Sequence, residues 1–426
     1  MTPATLLARL LTGMLGRPLP LRIKAWDGST AGPAADGAVP TVVLRNRRAL
    51  RRLLWQPGEL GLADAWISGD LDVEGDLAPA LARVRGALLG HGPIRPGPQD
   101  WPRLLGAAAR LGALGPRPAP PGGRARVRGT RHSRSRDKAV ISHHYDLSNE
   151  FYALLLGPAM AYSCAYWTPG SDSLKAAQEA KFDLVCRKLA LHPGTRLLDV
   201  GCGWGALAIH AARHFGAQVT AVTLSQRQHA FATAAVEAAG LADRVSVLLR
   251  DYREITDGPY DAISCIEMGE HVGDREYPAF ARRLHGLLHP QGRLLVQQMS
   301  RSTVAPGGGA FIETYIAPDM HMRPVGETVA VLERAGLEVR GVEALREHYA
   351  RTIDAWHERL DERRHEFTAL AGEATVRLWQ LYLAGSSLAF AEHRMGVDQI
   401  LAVRPTAAGA SGAPATPSDW YQGRPS

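Results

Sequence analysis

Cysteine is scarce in this chain. Only Cys164, Cys186, Cys202 and Cys265 occur among 426 residues, and their spacings form neither a zinc cluster nor a CxxC redox pair. A disulfide framework and a metal centre are therefore not expected, and reduced thiols in a cytoplasmic protein are. Long apolar runs are missing as well, since no stretch has the length and freedom from charge of a transmembrane helix. The opening MTPATLLARLLTGMLG carries an arginine inside its apolar run and shows no small-residue cleavage site, which argues against a secretory signal. Any membrane contact is expected to be peripheral, at the inner face of the cell membrane.

What the chain has in plenty is basic charge. The 49 Lys and Arg outnumber the 42 Asp and Glu, for a formal net charge of +7. Such a balance favours anionic surfaces without choosing between nucleic acid and phospholipid. The basic residues gather in PRPAPPGGRARVRGTRHSRSRDK, inside a Gly, Pro and Arg-rich stretch over 91–139. Ring constraint, missing donors and like-charge repulsion oppose a packed core there, so 91–139 reads as a basic linker whose cations suit anionic lipid. It lacks interleaved aromatics, and the chain has no NPPY-type target-amine motif, so nucleic acid is not the expected partner.

Residues 1–90 read as a small mixed accessory domain in which strand-like LRIKAW and PTVVLRN alternate with helical RALRRLLW and LGLADAWISG. Over 140–404 the pattern becomes that of a larger α/β domain. TRLLDV, QVTAVTLS, VSVLLRD, YDAISCIE, GRLLVQQMS and LEVRGVEAL read as strands among longer helical segments, which implies a mainly parallel sheet. HYARTIDAWHERLDERRHEF and ATVRLWQLYLAGSSLAFAEHRMG read as two substantial helices, and 405–426, rich in Ala, Gly, Pro and Ser, as a disordered tail.

The sharpest local feature is LLDVGCGWG, set between a strand and a helix. Glycines at 201, 203 and 205 allow a tight turn and close backbone approach to a ligand at the carboxyl end of the strand. Spacing alone leaves a dinucleotide site open. However, the second strand ends in TLSQ where a ribose-binding acid would stand, and the third ends in RDY, which suits a nucleoside better than a pyrophosphate.

DVGCGWG together with VTLSQRQ resembles the class I methyltransferases that bind S-adenosylmethionine, and more narrowly the cyclopropane fatty acid synthase family, which includes mycolic acid and branched fatty acid methyltransferases. The likeness extends through SHHYDLSNEFYALLLGPAMAYSCAYW, GEHVGDREY, FIETYIAPD and HYARTIDAWHERL, over about 141–403, and PGELGLADAWISGDLDVEGDL resembles the accessory domain of the longer synthases. The resemblance implies a Rossmann-like catalytic domain with helical additions at a lipid site. For the cofactor it implies Tyr162 and Ser163 around the methionine part, Gly201 and Gly203 as its backbone cradle, and Tyr145 and Asp199 as further binding residues. Thr223, Ser225 and Gln228 would border the ribose and adenine, with Asp251 and Tyr252 completing the adenosine pocket.

The same resemblance implies methylene transfer to the cis double bond of an unsaturated phospholipid acyl chain, giving a cyclopropane and S-adenosylhomocysteine. An alternative is a methylene- or methyl-branched chain formed by loss of a different proton. An alkene is a poor nucleophile, so the methyl donor must be held against it in a water-poor pocket, beside a base that takes a proton from the carbocation before water adds. In the family that base is a bound bicarbonate, and the matching groups here are Cys164, Glu270 and Tyr349, with Gly269 allowing close backbone approach. His271 follows the key glutamate and is expected to hydrogen-bond to structure sooner than to act in catalysis. GRLLVQQMS departs from the family pattern, placing Gln297 where a histidine is typical. An amide can still hold an anion but cannot titrate, and strand alternation turns Gln298 to the opposite side. The longer synthases imply a homodimer. Rival classes are a heteroatom methyltransferase and a lipid-binding protein that has lost its chemistry.

Overall fold

A computed structural model describes residues 1–34, 39–88, 101–124, 136, 147–301 and 308–421, and the structural statements below concern these. Tyr145 and nearly all of the basic stretch after Arg124 lie outside the described residues.

The chain divides into two compact units. The first comprises Met1–Arg124, Gly309–Tyr315 and Leu360–Leu388. Its sheet runs β2-β1-β3-β4, from β1 (Arg22–Lys24), β2 (Thr30–Ala31), β3 (Thr41–Leu44) and β4 (Leu71–Glu74). Helices Arg48–Trp55 and Glu59–Ile67 form where the apolar spacing places them.

Two boundaries differ from the sequence reading. The stretch assigned to a linker contains a helix, Trp101–Arg110, and Ala108, Leu111 and Ala113 join Ala4, Leu7 and Ile23 in the core of this unit. Residues 309–315 and 360–388, assigned to the catalytic domain, also belong here, because buried polar groups are satisfied through them. The Tyr315 hydroxyl donates to Asp64 Oδ1 at 2.6 Å, Trp66 Nε1 donates to the Arg377 carbonyl at 2.8 Å, and Arg377 Nε returns a bond to the Trp66 carbonyl at 2.6 Å. Backbone and indole groups buried at this depth destabilise a fold unless paired, so these reciprocal bonds hold the distant segment in place.

The second unit comprises Ala125–Gly308, Ile316–Arg359 and Ala389–Ser426. Its seven strands are β5 (Arg196–Val200), β6 (Gln218–Thr223), β7 (Val245–Leu249), β8 (Tyr260–Ile266), β9 (Leu288–Ser300), β10 (Glu338–Ala344) and β11 (Gly396–Val403), in the order β10-β11-β9-β8-β5-β6-β7. Strands β5 to β9 pair in parallel, while β11 runs antiparallel to both neighbours.

Period-two alternation sends successive apolar side chains to opposite faces. Leu197, Ala221, Ala262 and Leu295 join one core with Phe182, Val185, Leu207 and Val236. Their neighbours Leu198, Val222, Ile263 and Leu294 join another with Phe280, Leu284 and Leu332. Helices on both faces of a mainly parallel sheet give the Rossmann-like α/β fold that the sequence implies.

β11 was not anticipated, because Asp398 and Gln399 interrupt its apolar run. Both are buried and bonded across the sheet, to Ser300 at 2.5 Å and Gln297 at 2.9 Å. The segment read as one helix from His348 is two, Arg346–Glu362 and Arg364–Ala371, parted at Arg363. Nor is 405–421 a disordered tail. Trp420 packs with Leu184 and Leu401, and its carbonyl accepts from Arg187 Nε at 2.8 Å. One large aromatic ring is enough to pin a segment whose composition otherwise favours disorder.

Candidate active site

A cavity opens at the carboxyl ends of the parallel strands, around the point where β5 has neighbours on both sides. The turn after β5 shapes its floor. Gly201 and Gly203 both have positive φ, 81° and 55°, and a Cβ at Gly201 would come within 2.9 Å of Met268 Cγ. Only glycine suits such a turn at this density of packing.

Asp199, Gly201, Gly203, Tyr162, Ser163, Thr223, Gln228 and Tyr252 all line the cavity, as the sequence reading expected of a cofactor site. Thr223 Oγ1 donates to Gln228 Oε1 at 2.9 Å, tying the end of β6 to the helix that follows. Asp199 tests the fit of a cofactor. Its Oδ1 accepts from Ser264 at 2.7 Å, its Oδ2 has no partner among the described residues, and burial pushes its pKa up to about 6. A buried acceptor without a donor destabilises by about 1–3 kcal/mol, so the atom suits an ammonium brought by a ligand. S-adenosylmethionine carries such a group, and Tyr252 offers an aromatic ring to the same cavity.

Two expected cofactor residues do not line the cavity. Ser225 caps the helix Gln226–Ala238, its Oγ accepting from Gln228 N. Asp251 accepts from the Arg253 backbone, Nε and guanidinium at 2.7–2.9 Å, so its carboxylate is engaged by its own turn. Tyr145 lies outside the described residues.

At the cavity wall, groups expected to hold an anion surround a residue that was not anticipated. Glu267 follows immediately on β8, at φ 52°, and lines the cavity. Its Oε1 accepts from Cys164 N at 2.8 Å and Gln297 Nε2 at 2.7 Å, and its Oε2 from the Tyr349 hydroxyl at 2.5 Å. Cys164, Gln297 and Tyr349, three groups expected to hold bicarbonate, thus converge on a carboxylate belonging to the chain. Burial raises the Glu267 pKa above the ordinary value, against the opposing effects of these donors and of Lys181. Left-handed backbone at a non-glycine residue is strained by about 1–2 kcal/mol, and such strain is retained where the surroundings enforce it.

The other members take different parts from those expected. Cys164 contributes its backbone N–H. Its thiol is pushed well up by burial and sits within hydrogen-bonding reach of the Ala165 and Leu345 carbonyls, which keeps it protonated and unreactive. Glu270 is fully buried and does not line the cavity. Its Oε2 has no partner among the described residues, and burial, reinforced by Glu267, pushes its pKa up to about 8. Burial thus favours its protonated form near neutral pH. Gly269 makes room for Gln298, whose Oε1 would lie 2.1 Å from a Cβ there, so its close approach is to an amide and not to an anion. Gln298 points away as alternation required, accepting from Tyr277 at 2.5 Å and donating to Thr328 at 3.1 Å. His271 lines the cavity.

Lys181 was also missed. It is buried in the cavity wall, donates to Ser163 Oγ at 2.9 Å and has a pKa lowered to about 8 by burial. The signal was present: Leu174, Ala177, Lys181, Leu184 and Lys188 share one stripe at helical spacing, so two lysines stand where apolar residues are expected. For Glu267 the clue was its place directly after a strand, nearer the ligand end of the sheet than Glu270.

The description mycolic acid cyclopropane synthetase belongs to a family whose profile matches residues 132–400. A probable fatty acid methyltransferase of Pseudomonas putida is 35% identical over 425 residues, covering 98% of this chain and 100% of the relative. A tuberculostearic acid methyltransferase of Mycobacterium tuberculosis is 32% identical over 400 residues, covering 91% and 88%. Among solved structures, a cyclopropane synthase of Mycobacterium tuberculosis aligns with a TM-score of 0.59 at 31% identity, over 62% of this chain and 97% of that one. With a profile match over 132–400 and relatives aligned over nearly the whole chain, the chain belongs to this family of S-adenosylmethionine-dependent methyltransferases that act on unsaturated fatty acyl chains.

Proposed function

We propose that the protein methylates the double bond of an unsaturated acyl chain in a membrane phospholipid, that Glu267 is the base, and that the product is methyl- or methylene-branched. The observation that carries this is the carboxylate of Glu267, held at the cavity wall by Cys164 N, Gln297 and Tyr349. Bound S-adenosylmethionine supplies an electrophilic methyl group. The π pair of the alkene forms the new carbon–carbon bond, and the neighbouring carbon becomes a cation.

Glu267 then has two tasks. Its negative charge stabilises the cation, and it takes the proton whose loss restores neutrality. Loss from the methylated carbon gives a methyl-branched alkene; a hydride shift followed by loss from the new methyl gives an exocyclic methylene; loss from that methyl without the shift closes a cyclopropane. Each route releases one proton. Since Glu267 fills the seat expected for bicarbonate, the base is covalently part of the chain and no added bicarbonate is needed. The branched product draws support from relatives matched over nearly the whole chain, which are described for fatty acid and tuberculostearic acid methylation. The phospholipid substrate draws support from the basic composition and the accessory unit.

The full chain is incubated with dioleoyl phospholipid vesicles and S-adenosylmethionine in bicarbonate-free buffer, and the acyl products are identified by mass spectrometry and proton NMR. The expected result is a one-carbon gain with vinylidene or vinyl-methyl protons. No gain on any lipid overturns the phospholipid substrate, cyclopropyl protons overturn the branched product, and a strict need for bicarbonate overturns Glu267 as the base.

A further inference from the structure

From Glu267 a line of buried amides leads through β9 and β11 to the helix Leu174–Lys188. Gln297 Nε2 donates to Glu267 at 2.7 Å, and Gln297 Oε1 accepts from Gln399 Nε2 at 2.9 Å. Gln399 Oε1 in turn accepts from Lys188 Nζ at 2.7 Å. Gln297 and Gln399 are direct partners in the antiparallel register, so their side chains leave the same face. Exposures of 0% for Gln297, 1% for Gln399 and 3% for Lys188 keep the line away from bulk solvent. Lys188 also pairs with Glu343 of β10, which accepts from the Tyr421 hydroxyl at 3.2 Å.

An amide can be turned end for end with almost no change of shape, so its neighbours decide which atom faces which. Here one neighbour has no choice. An ammonium only donates. Lys188 therefore requires Gln399 to present its oxygen, Gln399 must then donate to Gln297, and Gln297 must present its nitrogen to Glu267. A donor facing Glu267 favours the ionised carboxylate over the protonated acid. The Cys164 carbonyl, 3.5 Å from the same nitrogen, weakly favours the same orientation.

We propose that Lys188 is a positioning residue that, through Gln399 and Gln297, fixes the polarity of this hydrogen-bond line and so keeps Glu267 in its basic form. This rests on the reading of Glu267 as the base. The line is not a proton wire, because neutral amides hold their protons. Other groups act on Glu267 as well: the Tyr349 hydroxyl and Cys164 N–H donate to it and the Lys181 ammonium attracts its charge, while Glu270 is itself pushed toward the protonated acid by burial and by Glu267. Those remain when the line is cut, so its loss shifts the titration without abolishing ionisation.

The test titrates the Glu267 carboxyl in the full chain by infrared difference spectroscopy against Glu267→Gln, beside the pH dependence of kcat/KM. Lys188→Met removes the obligate donor; Gln399→Leu cuts the line but keeps the lysine charge. Both are expected to raise the Glu267 midpoint by about one pH unit, which is about a tenfold loss of carboxylate below the midpoint, with cofactor Kd unchanged. Glu343→Gln keeps the donor and should leave the midpoint in place. An unmoved midpoint in both line variants, or a shift in Lys188→Met alone, overturns the proposal, the second by showing a bare charge effect. If Lys188→Met fails to fold, Gln399→Leu decides by itself; if Gln399→Leu fails, Gln399→Met, which also cuts the line and keeps the lysine charge, takes its place. Full turnover in Glu267→Gln sinks the base reading instead, and the infrared midpoint then judges the line by itself.

Discussion

Glu267→Gln separates the base from every other role that the site's geometry allows. The substitution keeps shape and removes the charge. With the new carbonyl oxygen at the Oε1 position, Cys164 N and Gln297 Nε2 keep their acceptor, and the new amide nitrogen meets the Tyr349 oxygen, which can accept as well as donate. Two of the three donors keep their acceptor, and the Tyr349 hydroxyl exchanges its donated bond for an accepted one, so folding and cofactor affinity should largely hold. What is lost is proton transfer, worth about 10²–10⁴-fold in rate, or about 3–5 kcal/mol of barrier. Steady-state kcat on vesicle-borne oleoyl chains should fall by that factor while cofactor Kd, read by calorimetry, changes less than about twofold, the scale of a lost peripheral contact. A kcat within about threefold of wild type would refute the reasoning.

Glu267→Gly sharpens the same test. It empties the seat and leaves three donors facing a void, and it relieves the left-handed strain at φ 52°. The stranded donors, at about 1–3 kcal/mol each, outweigh the about 1–2 kcal/mol of strain relieved, so the variant should be less stable than wild type as well as inactive. Added formate or bicarbonate should restore part of the rate in this variant and none in wild type. Failure of every small carboxylate to rescue would mean that Glu267 acts by position and not as a base.

Tyr349→Phe removes one donor to the ionised carboxylate; a hydrogen bond to a charged group is worth about 1.5–3 kcal/mol, so the acid limb of the pH–rate profile should move to higher pH with cofactor Kd unchanged. Gln297→His, tested in the same assay, replaces a neutral donor by one that can be charged; an imidazolium beside Glu267 should move that limb to lower pH and slow the proton step. Glu270 supplies a stability test. Its folded pKa, about 8, lies above the unfolded value near 4.5, so the folded state binds more protons in between. Stability from this group is full below about pH 4.5 and is lost as pH rises toward 8, at up to about 1.4 kcal/mol per pH unit. Chemical denaturation of Glu270→Gln should show a flatter decline between pH 6 and 8 than wild type, and equal slopes would sink the assignment.

The parts of the molecule legible in the sequence were those set by short-range pattern. The alternation in TRLLDV and the glycines of GCGWG determine local backbone, and six of the seven strands of the larger sheet, together with the cofactor turn, follow from them. β11 escaped because Asp398 and Gln399 break its apolar run, and only their cross-strand partners Ser300 and Gln297 make such residues acceptable inside a sheet. The return of 360–388 to the N-terminal unit was hidden for the same reason: Arg377 is bonded to Trp66, more than three hundred residues away. Glu267 was passed over for Glu270, three residues later. Both are glutamates beside a strand end, and only the backbone at φ 52° turns the first one toward the cavity.

Gln297 and Glu267 make sense together and less so apart. A histidine at 297, beside a built-in carboxylate, would pair with it as an imidazolium and hold its pKa down, trading basicity for charge stabilisation. A glutamine donates one neutral hydrogen bond, worth about 0.5–1.5 kcal/mol against about 1.5–3 for a charged one. It therefore orients Glu267 while leaving it the stronger base. Conversely, a glutamine facing a loose bicarbonate would have to retain a mobile ion with no formal charge of its own, and here the anion is retained by a covalent bond to the chain instead. The two residues that depart most from expectation at this site thus answer one chemical requirement: a carboxylate that stays in place and gives up less of its proton affinity to a glutamine than it would to a charged histidine.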